Sequence, residues 1–222
     1  MVKSTVAGKG MKDITVNGHQ VFDGAVIADN IRIHGNGRFL EGLSSQQLRI
    51  IGSCSIKGNT SVKHIYCQGH GKFHTLQVEI IQVAGSIAAE HVSGANLIDI
   101  KGSLQIKGSL EAVNVTIRQQ GTASVNRITA EKSVVIQADR LSILHWLWPR
   151  SRRGTYHVLK GYEVKVDHIQ SSLIVGGYVE IGPNCAIHKV IYSEYLSVAP
   201  GAKVAEVIHL SQHPQIWRSE LC

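Results

Sequence analysis

Apolar residues recur along this chain in pairs two positions apart, and the pairs return at every seventeenth position. Because side chains alternate between the two faces of a strand, both members of a pair point inward and the residue between them points to water. The blocks open at Ile14/Val16/Gly18, Ile31/Ile33/Gly35, Leu48/Ile50/Gly52, Ile65/Cys67/Gly69, Ile81/Val83/Gly85, Ile98/Ile100/Gly102 and Val115/Ile117/Gln119, with one step shortened by one position. This self-similarity predicts a β-solenoid whose stacked turns align equivalent residues in columns.

The phenylalanines support this stacking. Phe22, Phe39 and Phe73, which are all the phenylalanines of the protein, each lie eight residues after the first apolar residue of their block. The other blocks fill that column with Ile56, Ala89, Ile106 and Ala123. We therefore expect an internal ladder of stacked side chains.

The same step returns after an interruption. A stretch of alternating apolar residues from Val179 to Ile187 is repeated one full step later from Leu196 to Val204. Apolar dipeptides also recur at this 17-residue step, which extends the repeat to three blocks, the first beginning at Tyr162. They are Leu173-Ile174, Val190-Ile191 and Val207-Ile208. The sequence thus predicts an all-β protein, a parallel β-helix of about ten rungs, with one interruption.

The interruption divides the chain into two β-helix sections. We predict an N-terminal tail, a first section, a basic excursion with tryptophans, a second section and a C-terminal tail, at 1–13, 14–138, 139–161, 162–210 and 211–222.

Composition narrows the class of protein. No run of 18 apolar residues occurs and no signal-peptide core follows Met1, so we expect a cytoplasmic protein. The four cysteines have no metal-type spacing, and Cys54 and Cys185 fall in one column, which predicts buried apolar side chains in a reducing compartment. We expect no zinc site and no disulfide framework.

The net charge of +7 is unevenly distributed, since the segment 139–161 alone contributes +4. Elsewhere, lysines such as Lys57 and Lys107 take outward positions that keep a β surface soluble. Basic residues do not interleave with aromatic ones on the repeats, so we expect no nucleic-acid binding.

The sequence shows no arrangement of residues that is typical of a catalytic site. The 12 histidines are scattered over the columns, and His74 and His91 fall in neighbouring columns once the shortened step is counted. Hexapeptide acyltransferases offer similar rungs at 181–187 and 198–204, but their turn is built from three six-residue steps and is one position longer than the turn of this chain. We find no nucleophile with a base and no nucleotide loop, and we expect no enzyme activity, cofactor or metal.

The order of these elements resembles the bactofilins, bacterial polymer-forming cytoskeletal proteins, and in particular their longer Gram-positive form. The resemblance covers about residues 14–208: serial apolar-x-apolar-x-Gly blocks, a basic break, and GGYVEIGPNCAI followed one step later by APGAKV. It implies a right-handed, triangular β-helix that forms nonpolar filaments end to end without nucleotide. It also implies a scaffold for envelope or motility machinery, often at the inner face of the cell membrane.

The ends of the solenoid are the sites that such assembly would use. An end rung leaves backbone N–H and C=O groups unpaired unless a cap covers them, and no capping helix is evident in the sequence. The predicted polymer interface consists of Ile14, Val16, Phe22 and Val26 at one end and Leu196, Val198, Val204 and Val207 at the other. The alternative is that the tails fold back as caps and leave a monomeric adaptor, which displays a flat side of the solenoid to a partner.

The excursion is a second candidate contact. Trp146 and Trp148 lie beside Arg150, Arg152 and Arg153, a combination that suits the interface of an anionic membrane or a partner protein. The interpretation that we favour is that both tryptophans pack against a face of the solenoid.

Overall fold

The computed structural model describes residues 11–138 and 154–210, and the backbone of residues 2–3. Of the described residues 89% are in strands, and their single parallel sheet winds into a β-solenoid of about 11 turns about 17 residues apart. This confirms the predicted all-β, parallel β-helix. The handedness of the helix stays a prediction.

The described parts of the chain contribute ten strands to the sheet, and their order in it follows the chain except that β7 pairs with β5 and β8. The strands are β1 Val2–Lys3, β2 Met11–Phe22, β3 Val26–Phe39, β4 Leu43–Ala89, β5 His91–Ala138, β6 Gly154–Lys160, β7 Glu163–Val166, β8 Ile169–Ile181, β9 Ala186–Val198 and β10 Lys203–His209. Because backbone pairing continues around the corners, β4 and β5 each span several turns, at 47 and 48 residues.

Most interior turns of the first section bury their residues in three pairs. In the turn that begins at Ile31 the buried pairs are Ile31/Ile33, Gly37/Phe39 and Leu43/Ser45. The residues within these pairs, Arg32, Arg38 and Ser44, are exposed, as alternation along a strand requires. Three short inward-facing segments per turn give the solenoid three sides around its main apolar core.

The register follows the predicted columns. Ile14 pairs with Ile31, and Phe22 with Phe39, so equivalent residues of successive blocks lie side by side. Where β5 begins to pair with β4, Thr75 pairs with His91, so the step there is 16 positions instead of 17. A register shift between Gln77 and Ile80 then restores the step of 17. His91 therefore lies beside Thr75 and not beside His74, as the shortened step predicts.

The phenylalanine column is internal. The rings of Phe22 and Phe39 stack with centroids 4.6 Å apart and planes 4° from parallel, while Ile56 separates Phe39 from the buried Phe73. Phe39 and Phe73 each follow a glycine two residues earlier, and a Cβ at Gly71 would come within 2.8 Å of the Phe73 ring. A large ring thus fills the space that a missing side chain leaves in the same turn, which keeps the core close-packed.

The corner glycines hold adjacent turns together. Gly18, Gly35, Gly52, Gly69, Gly85 and Gly102 all have positive φ. A Cβ on any of them after Gly18 would overlap the carbonyl oxygen of the glycine one turn earlier. The close approach of the two backbones and the left-handed conformation both require glycine here.

The second section begins at Gly154, not at 162 as predicted. Strand β6 pairs with β5 on one side and β8 on the other, so the ladder is continuous across the interruption. Tyr156 pairs with Ser171, so this turn is two positions shorter than the regular repeat. Because of this difference, the 17-residue pattern does not predict the turn.

One predicted register in this section is also wrong. Val190 pairs with Ile174 and not with Leu173. A shift between Gly176 and Tyr178 restores the regular step, so that Val179 pairs with Leu196 as predicted. The extra residue lies in β9, where Ser193 and Glu194 together face the single Gly177 of β8.

Gln119 replaces glycine where the two sections meet. Its side chain is buried, and its Nε2 donates a hydrogen bond of 3.0 Å to the carbonyl oxygen of Gly121. The buried Tyr156 hydroxyl donates to Gln119 Oε1 at 3.5 Å, and burial raises the pKa of this tyrosine. The break in the glycine column therefore marks a buried polar pair that joins the sections.

Candidate functional site

The C-terminal turn exposes the end of the apolar core. Val198 continues the column of Ile181, and Val207 continues that of Val190. Ile181 and Val190 are 2% and 0% exposed, whereas Val198 and Val207 are 43% and 49% exposed. The same kind of side chain in the same column changes from buried to half exposed because the described chain has no further turn over it.

Leu196 and Val204 complete this surface. Both are partly buried and pack against the core beneath them, in the columns of Val179 and Ile187. The structure therefore brings together all four residues that the sequence predicts for this end. We call Leu196, Val198, Val204 and Val207 the C-terminal end surface.

The backbone edge at this end is also open in the described part of the chain. Strand β10 pairs with β9 from Lys203 to His209, and the sheet order ends with β10. An open strand edge offers a row of backbone donors and acceptors to another chain. The C-terminal end surface therefore combines apolar side chains with an unpaired edge.

The N-terminal end is different. Ile14, Val16, Phe22 and Val26 are all buried, and Val16 is 0% exposed. The expectation of a bare edge is wrong at two positions, because Val2 pairs with Gln20 and Lys3 with Val21. Sequence reasoning missed β1 because two residues carry no periodic signal. The four predicted residues do form one end of the core, but they lie beneath its surface.

The excursion falls largely outside the described residues. Trp146, Trp148, Arg150, Arg152 and Arg153 all lie there, so their contact with a membrane or partner stays a prediction. The flanking strands show only that β5 ends at Ala138 and β6 resumes the ladder at Gly154.

The three described cysteines, Cys54, Cys67 and Cys185, are buried and free. Burial raises the pKa of the Cys67 thiol to about 11, and burial followed by the nearby Cys67 raises that of Cys54. Both thiols therefore remain protonated and fill the core as apolar groups, as predicted. Cys222 lies outside the described residues.

A polar cluster that the sequence did not reveal lies at one corner of the second section. His168 Nδ1 contacts the Asp167 carboxylate, and Asn184 Nδ2 lies 3.0 Å from His168 Nε2. His168 and Asn184 both have φ of 57°, an uncommon conformation for residues other than glycine. The cluster links two successive turns at the corner. Within residues 11–138 and 154–210, no three His, Cys, Asp or Glu side chains could hold a metal ion together.

A column of tyrosines lies on the outside of the second section. Tyr162, Tyr178 and Tyr195 are 54%, 41% and 50% exposed, and Tyr178 pairs directly with Tyr195. Tyr162 lies one position before Glu163, the residue that pairs with Tyr178, and it joins the group because its ring contacts the Tyr178 ring. We call these three residues the tyrosine column. Their spacing of 16 and 17 positions is the only signal for this column in the sequence, and it is not part of the inward apolar pattern.

Comparison with known proteins adds no further assignment, because the chain matches no protein-family profile, no curated protein and no solved structure. The part of the chain that the structure describes contains no apolar helix of membrane-spanning length. The geometry that can support a function is therefore that of the solenoid, its ends and its outer columns.

Proposed function

We propose that this protein is a structural, self-assembling protein that forms filaments by end-to-end stacking of its β-solenoid, without nucleotide. The observation that carries the proposal is the C-terminal end surface, where the core columns stop with Val198 and Val207 half exposed. A turn of another subunit placed there would continue both the apolar columns and the backbone ladder.

The energetics favour such a joint. Fully burying a valine side chain is worth about 1.5 to 3 kcal/mol, so covering the exposed halves of Val198 and Val207 contributes roughly 1 kcal/mol each. Pairing the edge of β10 would add backbone hydrogen bonds at roughly 1 kcal/mol each. Within residues 11–138 and 154–210 this apolar strand edge has no partner, and monomers rarely leave such an edge open, so we take another copy of the chain as its occupant.

The cellular role follows the resemblance to bactofilins. On that basis the filament is a scaffold in the cytoplasm or at the inner face of the membrane, and it serves envelope or motility machinery. The proposal requires no enzyme activity, cofactor or nucleic-acid partner.

Electron microscopy and sedimentation of the purified protein test the proposal. We expect filaments or long oligomers at micromolar concentration without ATP, GTP or metal, and no change in length on adding them. A monomer at all concentrations and salt conditions would contradict assembly and favour the alternative of a monomeric adaptor.

A further inference from the structure

The tyrosine column carries a binding hypothesis that does not depend on filament formation. Its three rings lie on successive turns of the second section, each about half exposed. Large exposed aromatic side chains in one contiguous stripe are uncommon on a solvated surface and mark contact sites.

The rings do not form a flat platform. Tyr162 and Tyr178 meet edge to face, with centroids 5.5 Å apart and planes at 70°. Sugars and nucleobases stack on rings whose faces are presented together, so this arrangement disfavours both. The gaps between crossed rings suit narrower groups that reach a ring face or a hydroxyl from outside.

The surroundings are acidic. Glu194 Oε1 accepts a hydrogen bond of 3.0 Å from the Tyr162 hydroxyl. Next to the column, Lys165 contacts both Glu163 and Glu180, at 2.9 and 3.3 Å, which leaves one negative charge in that group of three. Residues 154–210 hold five acids and four bases, whereas the whole chain carries +7. The tyrosine column thus lies on a section whose net charge of −1 is opposite in sign to that of the whole chain.

The protein itself shows how an outward tyrosine is covered. On the first section, the guanidinium carbon of Arg49 lies 5.3 Å from the centre of the Tyr66 ring, a cation–π contact. The tyrosine column offers three such rings and adds a carboxylate, which is the preferred partner of a guanidinium.

We propose that the tyrosine column binds an extended, arginine-bearing segment of a partner protein, with guanidinium groups over the rings and against Glu194. An extended segment can follow the column because the Tyr162 and Tyr178 rings lie 5.5 Å apart and Tyr178 pairs with Tyr195 on the next turn. Arginine suits the site better than lysine because its flat, weakly hydrated group stacks on rings and binds carboxylates in pairs of hydrogen bonds.

Fluorescence anisotropy with labelled eight-residue peptides tests this inference on the full chain. We expect a peptide of alternating arginine and glycine to bind saturably, and its lysine counterpart to bind more weakly. Tyr178→Ala and Glu194→Gln should each weaken arginine-peptide binding by about fivefold or more, and Tyr178→Phe should retain most of it.

Tyr66→Ala is the matched control, since that tyrosine is already covered by Arg49 and should not affect the peptide. Circular dichroism shows whether Tyr178→Ala still folds. If this variant does not fold, the isosteric Glu194→Gln still tests the binding site. The inference is wrong if the arginine peptide does not bind, or if Tyr178→Ala and Glu194→Gln bind it like the parent. Stronger binding of a chito-oligosaccharide, an oligonucleotide or a proline-only peptide would equally overturn it.

Discussion

The two ends of the solenoid share the same core columns but finish them differently. At the N-terminal end Val16 is fully buried and Phe22 stacks on Phe39. At the C-terminal end Val198 and Val207 are half exposed, although the residues one turn earlier in their columns are buried. Stacked repeats therefore do not guarantee equivalent ends.

If subunits stack end to end as proposed, the difference between the ends favours the C-terminal end as the first docking surface. A subunit arriving at the N-terminal end would compete with β1 for the backbone groups of Gln20 and Val21. At the C-terminal end no described strand has to move before a new turn can pair with β10. We infer that the first joint to form involves the C-terminal end surface.

The sharpest test of this comparison is the same substitution at both ends. Val16→Asp should lower the free energy of unfolding by about 3 to 5 kcal/mol, because it places a carboxylate in the core without a partner and removes apolar contacts. Val198→Asp should lower it by less than about 1 kcal/mol, since that side chain already reaches solvent. Thermal or denaturant unfolding followed by circular dichroism measures both.

Val198→Asp, which should affect stability little, should affect assembly strongly. Val198→Asp should reduce filaments to short oligomers while the β-rich circular dichroism spectrum persists, because only the docking surface changes. The exposed Lys57, away from both ends, provides the control: Lys57→Asp should leave stability and filament length near those of the parent. If Val198→Asp polymerises like the parent, subunits must associate by another surface.

A second comparison concerns the glycine column. Gly52→Ala forces a left-handed conformation at φ of 126° and drives a Cβ into the backbone of Gly35, so we expect a loss of about 2 to 4 kcal/mol. Gly18→Ala suffers the same kind of backbone strain, but no described atom lies within 4 Å of its Cβ. It should lose only about 1 kcal/mol. Equal melting temperatures for the two variants would contradict the stacking contact assigned to this column.

Periodicity predicted the first section well because most of its strand pairs keep the same step of 17 positions. Inward pairs, corner glycines and the phenylalanine column all follow from the alternation of side chains and the close approach of stacked backbones. Even the shortened step could be located, and with it the separation of His74 from His91.

The second section shows why the rest could not be predicted. Its turns differ in length by one or two positions, so Leu173 appeared to align with Val190, although a register shift pairs Ile174 there instead. The start at Gly154 was hidden because the ladder crosses an insertion. The sequence pattern could not predict how exposed each end of the solenoid is, because one inward column contains both the buried Ile181 and the exposed Val198.

The smallest expected effect concerns the ionisation of Tyr178 in the tyrosine column. A hydrogen bond with Glu194 and the charge of that carboxylate raise the pKa of Tyr178 from 10.0 to about 12. The folded state holds this proton more tightly than the unfolded chain, so the associated stability is complete below pH 10 and is lost as the pH rises to about 12. Rapid-mixing absorbance titration of tyrosinate, taken as the difference between the parent and Tyr178→Phe, should show this group near pH 12. In a Glu194→Gln background the same difference should move towards pH 10, and an unchanged titration would show that Glu194 does not hold the tyrosine column.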